Sequence, residues 1–313
     1  MPPVPATWSL TENLAGLRSQ ALGLAEAAGL TPEERTLEPR PPWTWFPARF
    51  WPNPLTVVAG SLTPPLPGLV IGCGGMAAAV LAALRAKNLP VVQVQNPRMA
   101  IGRFDLIVAN RHDELTGPNV IVTRTALHRV TPARLAAEAE HWRGRLAALP
   151  RPLVAVLLGG SNGRYRLDAA VGAKLAADLA AMMRRDRVGV MVTPSRRTDP
   201  AVTALIRAAI TPLGGQVWDF TGENPYFGML AQADLIIVTQ DSVSMISEAA
   251  ATAAPVLIVP LPGSSRRQGL FLDIVIRQEG RARLFDGRFA PFPATPLNDT
   301  PEAAAAMRHG LGL

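Results

Sequence analysis

Two short apolar runs bracket a polar segment late in this chain, and that arrangement constrains the fold more than any other feature. The first run is Leu235-Ile236-Ile237-Val238-Thr239; the second is Pro255-Val256-Leu257-Ile258-Val259-Pro260. Apolar runs of this length with β-branched residues read as buried strands. Between them, Asp241 to Ala250 has helical spacing, with Ser242 and Ser244 where the helix begins and Glu248 further along it. Strand, polar turn, helix, strand is the repeating unit of a parallel sheet covered by helices. A helix N-terminus presents unpaired backbone N–H groups and a partial positive charge, which suits a phosphate. Glu248 stands away from that pole, where its carboxylate is expected to bond ribose hydroxyls.

The same alternation runs through the whole chain. Strands are predicted at 7–10, 69–71, 91–95, 104–108 and 120–123, and a helix at 17–28. Thr131 caps a helix with Pro132 at its first position, and Leu135, Ala139, Trp142 and Leu146 line one face of it. Leu149-Pro150-Arg151-Pro152 then stops the helix and marks a domain boundary. A second α/β unit restarts with strands at 153–158 and 188–192. One of its helices is striped by Leu167, Val171, Leu175 and Leu179; another is capped by Asp199-Pro200, and a third opens at Asn224-Pro225. The expected organisation is an N-terminal Rossmann-like domain over 1–150, a C-terminal one over 151–290, and a proline-rich tail over 291–313 that returns to the first domain.

At 313 residues the chain is long enough for two such domains. Lys and Arg number 31 against 24 acidic residues, a net charge of +7, and the only lysines are Lys87 and Lys174. The arginine excess reads either as genomic composition bias or as a surface that favours phosphates or anionic lipid. No basic run forms a tail or stripe, and basic and aromatic residues are not interleaved, so nucleic-acid binding is not expected. The lone Cys73 excludes an intrachain disulfide and a multi-cysteine metal site, which fits a reducing cytoplasm. Residues 51–84 carry no charge, but prolines break the first half and Gly72, Gly74 and Gly75 the second. A spanning helix needs about 20 mostly apolar residues without such breaks. The expectation is a cytoplasmic protein, peripheral to a membrane surface.

Several turns carry chemistry. Gly159-Gly160-Ser161-Asn162-Gly163 follows a strand, and backbone without side chains can approach a diphosphate closely. Ser195-Arg196-Arg197-Thr198 follows the next strand, and arginine forks match phosphate oxygens. With Ser242 and Ser244 these turns fall at the carboxyl ends of parallel strands, where open α/β sheets bind ligands. The glycine turn also spells G-x-S-x-G, the nucleophile elbow of hydrolases, but the one later histidine is His309. Gly72-Cys73-Gly74-Gly75-Met76-Ala77 fits a loose dinucleotide pattern, yet the next strand ends in Gln95-Asn96 rather than an acid. It reads better as an acceptor-lining turn or as plain helix-to-strand packing. The histidines show no metal-ligand spacing. His112-Asp113, just past a strand, pairs an imidazole with a carboxylate and can serve as a general base or as a surface turn.

Taken together these blocks resemble the mitochondrial-fission ELM family. The blocks are Phe104-Asp105-Leu106-Ile107-Val108 with Arg111-His112-Asp113, Gly160-Ser161-Asn162 with Tyr165, Ser195-Arg196-Arg197-Thr198, Glu223-Asn224-Pro225-Tyr226, and Asp241-Ser242-Val243-Ser244-Met245 with Ser247-Glu248-Ala249. The second half is also similar to the nucleotide-sugar half of GT-B glycosyltransferases, including the lipid-linked N-acetylglucosaminyl transferase of peptidoglycan synthesis. The resemblance implies a GT-B-like α/β fold, two Rossmann-like domains facing across a cleft. It implies a nucleotide-diphosphate sugar as donor substrate, no separate cofactor or metal, and an acceptor that is membrane-associated or lipid-linked. The donor residues it implies are Gly160, Ser161, Asn162, Arg196, Arg197, Asn224, Tyr226, Asp241, Ser242, Ser244 and Glu248, with His112 and Asp113 as catalytic candidates. Two positions depart from pattern. Leu17 stands where family members usually carry a first-loop His, and Ala253-Ala254 replaces a common Gly-Lys. Two other readings accompany the transferase: a nucleotide-sugar 2-epimerase-like enzyme, and a non-catalytic adaptor for a membrane or a dynamin-like partner.

Overall fold

Apolar runs become strands and the amphipathic segments between them become covering helices. The computed structural model describes residues 5–313. The chain begins β1 (Thr7–Thr11), α1 (Ala15–Ala27), β2 (Pro32–Thr36), α2 (Pro54–Val57), β3 (Leu69–Cys73), α3 (Gly75–Arg85), β4 (Val91–Val94), β5 (Leu106–Asn110) and β6 (Val120–Thr123). It continues through α4 (Pro132–Leu146), β7 (Leu153–Leu158), α5 (Ala169–Asp186), β8 (Gly189–Pro194), α6 (Pro200–Ile210), β9 (Gln216–Val217), α7 (Tyr226–Gln232) and β10 (Leu235–Thr239). The last elements are α8 (Val243–Ala250), β11 (Val256–Val259), α9 (Arg266–Asp273), β12 (Ala282–Leu284) and α10 (Thr300–Leu311).

Two compact units result among the described residues: 5–129 together with 298–313, and 130–297. The first holds a six-stranded parallel sheet in the order β2-β1-β3-β4-β5-β6. Its strands send alternate residues to two apolar layers, as the two-residue period requires. Val70 joins Trp8, Leu10, Val80 and Ile107 in one layer; Leu69, Ile71 and Cys73 join Leu24, Val92 and Val108 in the other. Helix α10 closes the second layer with Ala303, Ala304 and Met307. Its start is fixed by Asp299, whose carboxylate accepts from the Arg124 guanidinium and backbone, while Arg308 donates to Ala28 O at 2.7 Å.

The second unit holds another six-stranded parallel sheet, in the order β12-β11-β10-β7-β8-β9. Here too the inner strands are buried on both faces, between a layer around Leu175, Leu179, Val202 and Ile206 and a layer around Trp142, Met229, Ile246 and Phe271. Helix α4 belongs to this unit, since Trp142 and Leu146 pack in the same layer as Met229 and Leu230 of α7. The sequence caps act as expected: Thr131 Oγ1 accepts from Arg134 N–H at 3.1 Å and Asp199 Oδ1 from Ala201 N–H at 2.8 Å.

Three strands carried no sequence signal. β2 is Pro-Glu-Glu-Arg-Thr, β9 is two residues long and β12 has two exposed residues of three. All three are sheet edges, so they need no two-sided apolar pattern. β5 also starts later than position 104, because Ile101–Arg103 forms a 3-10 turn and Phe104 N–H donates to Ile101 O at 3.2 Å. Among the described residues no helix is long and apolar enough to cross a membrane.

Candidate functional site

In the second unit the chain runs from β7 outward through β8 and β9, then returns to β10 beside β7 and runs outward the other way. Two adjacent parallel strands whose connections leave in opposite directions open a crevice at their carboxyl ends, the usual ligand position in such sheets. The residues at this switch point are Gly159-Gly160 after β7 and Asp241-Ser242 after β10, with Ser195 to Thr198 after the neighbouring β8.

These turns are tied together by buried polar groups. Asp241, with no exposed side-chain surface, accepts from Thr239 Oγ1 at 2.8 Å, from Gly160 N–H at 3.0 Å and from Arg197 Nη2 at 3.0 Å. Thr239 Oγ1 accepts in turn from Gly159 N–H at 2.7 Å. From β8's turn, Ser195 Oγ donates to Gly159 O at 2.8 Å and Thr198 Oγ1 donates to the same carbonyl. The two glycines are required by close approach: a Cβ on Gly159 would collide with the Asp241 carboxylate, and one on Gly160 with Arg197 O. Asp241 is therefore the post that holds the crevice together, and its charge is balanced by Arg197.

The remaining candidates sort by position. Ser161 and Asn162 are exposed on the rim, but each also shapes its own turn. Ser161 Oγ accepts from Leu167 N–H at 2.9 Å, and Asn162 Oδ1 accepts from Arg164 N–H at 2.8 Å and Tyr165 N–H at 2.9 Å. This excludes the nucleophile-elbow geometry, because α5 opens only at Ala169, well beyond Ser161. Arg196 is exposed beside Arg197. Ser242 caps α8, accepting from Met245 N–H at 3.3 Å, and Ser244 lies in the first turn. Glu248, only 6% exposed, lies on the buried half of α8 and accepts from the Tyr226 hydroxyl. Burial and the Glu248 charge push the Tyr226 phenol well above its ordinary range. Asn224 Oδ1 accepts from Tyr226 N–H at 3.0 Å and so starts α7 in the register that brings the phenol to Glu248.

In the first unit the switch point lies between β1 and β3, and its anion position is already filled. Glu12, just past β1, accepts from Met76 N–H at 3.2 Å at the start of α3, and Gly74 takes φ +100° beside it. A dinucleotide phosphate would have to displace that carboxylate. The Cys73 thiol below it is pushed up by burial and by Glu12. His112 and Asp113 sit in a 3-10 turn at the carboxyl end of β5, with side chains 4% and 0% exposed and Nε2 and Oδ1 3.9 Å apart. That separation is too long for a hydrogen bond. Neither side chain is on the outer surface.

Sequence reasoning missed Thr239, Glu12 and Arg281. Thr239 ends an apolar run and looked like part of it. Glu12 lies far from α3 in sequence. Arg281, 2% exposed, donates to Ala250 O at 2.8 Å, Thr252 O at 2.7 Å and Ala254 O at 2.8 Å, holding the C-terminus of α8. A lone arginine before a short edge strand gives no such signal.

Comparison with known proteins agrees with this architecture. The chain aligns with the Methanocaldococcus jannaschii UDP-GlcNAc 2-epimerase at a TM-score of 0.59 and 10% identity, covering 98% of this chain and 100% of that one. It aligns with the glycosyltransferase SnogD from Streptomyces nogalater at 0.55 and 15%, covering 99% and 95%. The fold is GT-B, two Rossmann-like units each built on a six-stranded parallel sheet. In sequence, the chain is 33% identical over 280 residues to the Mitochondrial fission protein ELM1 of Arabidopsis thaliana, covering 78% of this chain and 64% of that protein's length. The profile of the Mitochondrial fission ELM1 family matches residues 15–311. By that match across nearly its whole length, the chain belongs to the mitochondrial fission ELM1 family.

Proposed function

We propose that the chain is a GT-B-type glycosyltransferase that binds a nucleotide-diphosphate sugar at the β7–β10 crevice. The observation that carries this reading is Glu248, a buried carboxylate oriented by a phenol, on the helix that opens at the crevice. Burying a carboxylate costs free energy that its hydrogen bonds must offset, and its two oxygens together can accept more bonds than the one the phenol donates. A ribose supplies two hydroxyl donors, and Ser244 and Glu248, four residues apart, share one face of α8. In the bound state the diphosphate meets Ser242, Ser244 and the first turn of α8, where the helix pole favours the charge that grows on the leaving group. Arg196 adds a guanidinium fork at the rim. Gly160, Arg197 and Asp241 build the turn against which these groups rest.

His112 and Asp113 are the base pair proposed for deprotonating the acceptor hydroxyl. Loss of a general base costs about 10²–10⁴ in rate. With UDP-GlcNAc or UDP-glucose as donor, His112→Ala and Asp113→Ala should lose most turnover while nucleotide affinity holds. Turnover at the parent rate in either folded variant removes the pair from catalysis. The jannaschii epimerase shares this fold in complex with UDP-GlcNAc and UDP, so epimerisation is the second reading. Chromatography of the product separates the two: a new glycoside marks transfer, and a converted sugar nucleotide without an acceptor marks epimerisation.

A further inference from the structure

We infer that the segment from Arg40 to Phe50 is a docking element for an anionic lipid surface, independent of the nucleotide crevice. In this segment two 3-10 turns, Trp43–Trp45 and Ala48–Phe50, present Trp45, Phe46 and Phe50 at 78%, 51% and 61% exposure. They are three of the most exposed large apolar side chains among the described residues, and they fall within six positions of one another. Large aromatics displayed this way on a folded surface mark an interaction site.

The display is built rather than frayed. Trp51, 6% exposed in the core of the first unit, donates its indole N–H to both Trp43 O and Phe46 O at 3.2 Å. That single donor clamps the two ends of the first turn. Trp43 packs against the same core and meets the Phe46 ring at 5.9 Å between centroids, and Ala48 packs there as well. With the backbone anchored from below, the outer rings are held up to solvent at little further cost in chain entropy.

Charge selects the partner. Within the segment itself, from Arg40 to Phe50, the sequence contains no Asp or Glu and two cations, Arg40 and Arg49, while Glu34 and Glu38 line the neighbouring surface beside Arg40. Glu38 is the last acid before the segment. Arg40 and Arg49 are exposed, and the Arg49 guanidinium lies over the Phe50 ring at 4.7 Å, so cation and aromatic are offered together. Trp and Phe prefer the headgroup level of a bilayer, and each nearby Arg adds attraction to anionic lipid. An apolar protein partner would match the rings but gain nothing from the exposed Arg40 and Arg49 beside them. A membrane surface uses both.

The test is flotation of the full chain with phosphatidylcholine vesicles and with vesicles that also contain phosphatidylserine. The parent should float with the phosphatidylserine vesicles, weakly with phosphatidylcholine alone, and less as salt rises. Trp45→Ala/Phe46→Ala/Phe50→Ala should reduce the bound fraction at least tenfold, and Arg49→Glu severalfold, with unchanged circular dichroism and melting temperature. Because these side chains are exposed, the fold does not depend on them. A folded triple variant that floats like the parent overturns the assignment, as does a parent that floats with neither vesicle. A triple variant that changes only self-association in sedimentation velocity assigns the patch to a second copy of the chain instead.

Discussion

Glu248 and Tyr226 form the most informative pair of residues in the second unit. The phenol donates to a carboxylate that is almost wholly buried, which fixes one carboxylate oxygen and leaves the group's orientation set before any ligand arrives. The same contact has a pH signature. Burial and the neighbouring carboxylate raise the Tyr226 pKa in the folded state, whereas an unfolded phenol ionises near about 10. Below that value both states hold the proton and pH has no effect through this group. Above it the unfolded chain releases a proton that the folded chain keeps, so stability falls as pH rises. Tyr226→Phe should flatten this part of the alkaline stability profile in urea titrations between pH 9 and pH 11 (values about one unit either side of the reference phenol). An identical alkaline slope in parent and variant would contradict the burial of the phenol against Glu248.

At the scale of elements, α8 is held at both ends by chemistry of opposite sign. Ser242 caps its N-terminus, and Arg281 donates to the carbonyls of Ala249 and Ala250 at its C-terminus. A cation at a helix C-terminus complements the dipole, and burial lowers the Arg281 pKa to about 10, so the guanidinium stays charged at neutral pH. Arg281→Leu leaves the carbonyls of Ala250, Thr252 and Ala254 without this donor. Ala250 O keeps the Leu297 N–H, and buried unsatisfied groups cost about 1–3 kcal/mol each, so a loss of at least about 2 kcal/mol from the other two is expected in urea unfolding, with Arg281→Lys recovering part of it. A Leu variant as stable as the parent would mean that the helix end finds other donors. This anchor also shows where the sequence was legible. The segment from Leu235 to Pro260 announced strand, helix and strand through its own periodicity, and its capping serine by type and position. The tether through Arg281 is a contact across 31 residues to Ala250, with no local pattern to reveal it. Edge strands β2, β9 and β12 were silent for a related reason: one-sided pairing imposes no hydrophobic period.

For the whole molecule, the parallel sheets and the helices between them were readable from alternation alone, and so were the turns at the crevice of the second unit. What alternation could not assign was how polar groups are divided within that crevice. Gly160, Arg197 and Asp241 were expected as ligand contacts; in the folded chain they bond one another, because a buried carboxylate needs donors whether or not a ligand is present. The glycine turn of the first unit followed the same logic, with Glu12 in the place of an anion. The central claim is that the crevice between β7 and β10 takes a nucleotide-diphosphate sugar through α8. Isothermal titration of the folded chain with UDP, UDP-GlcNAc and UDP-glucose, in parallel with Glu248→Gln, tests it most directly. Hydrogen bonds to a charged acceptor are worth about 1.5–3 kcal/mol, so the account predicts that the parent binds at least one of these nucleotides and that the folded Gln variant binds it about ten- to a hundredfold more weakly. Equal affinity in parent and variant, or no binding of any of the three by the parent, would contradict it.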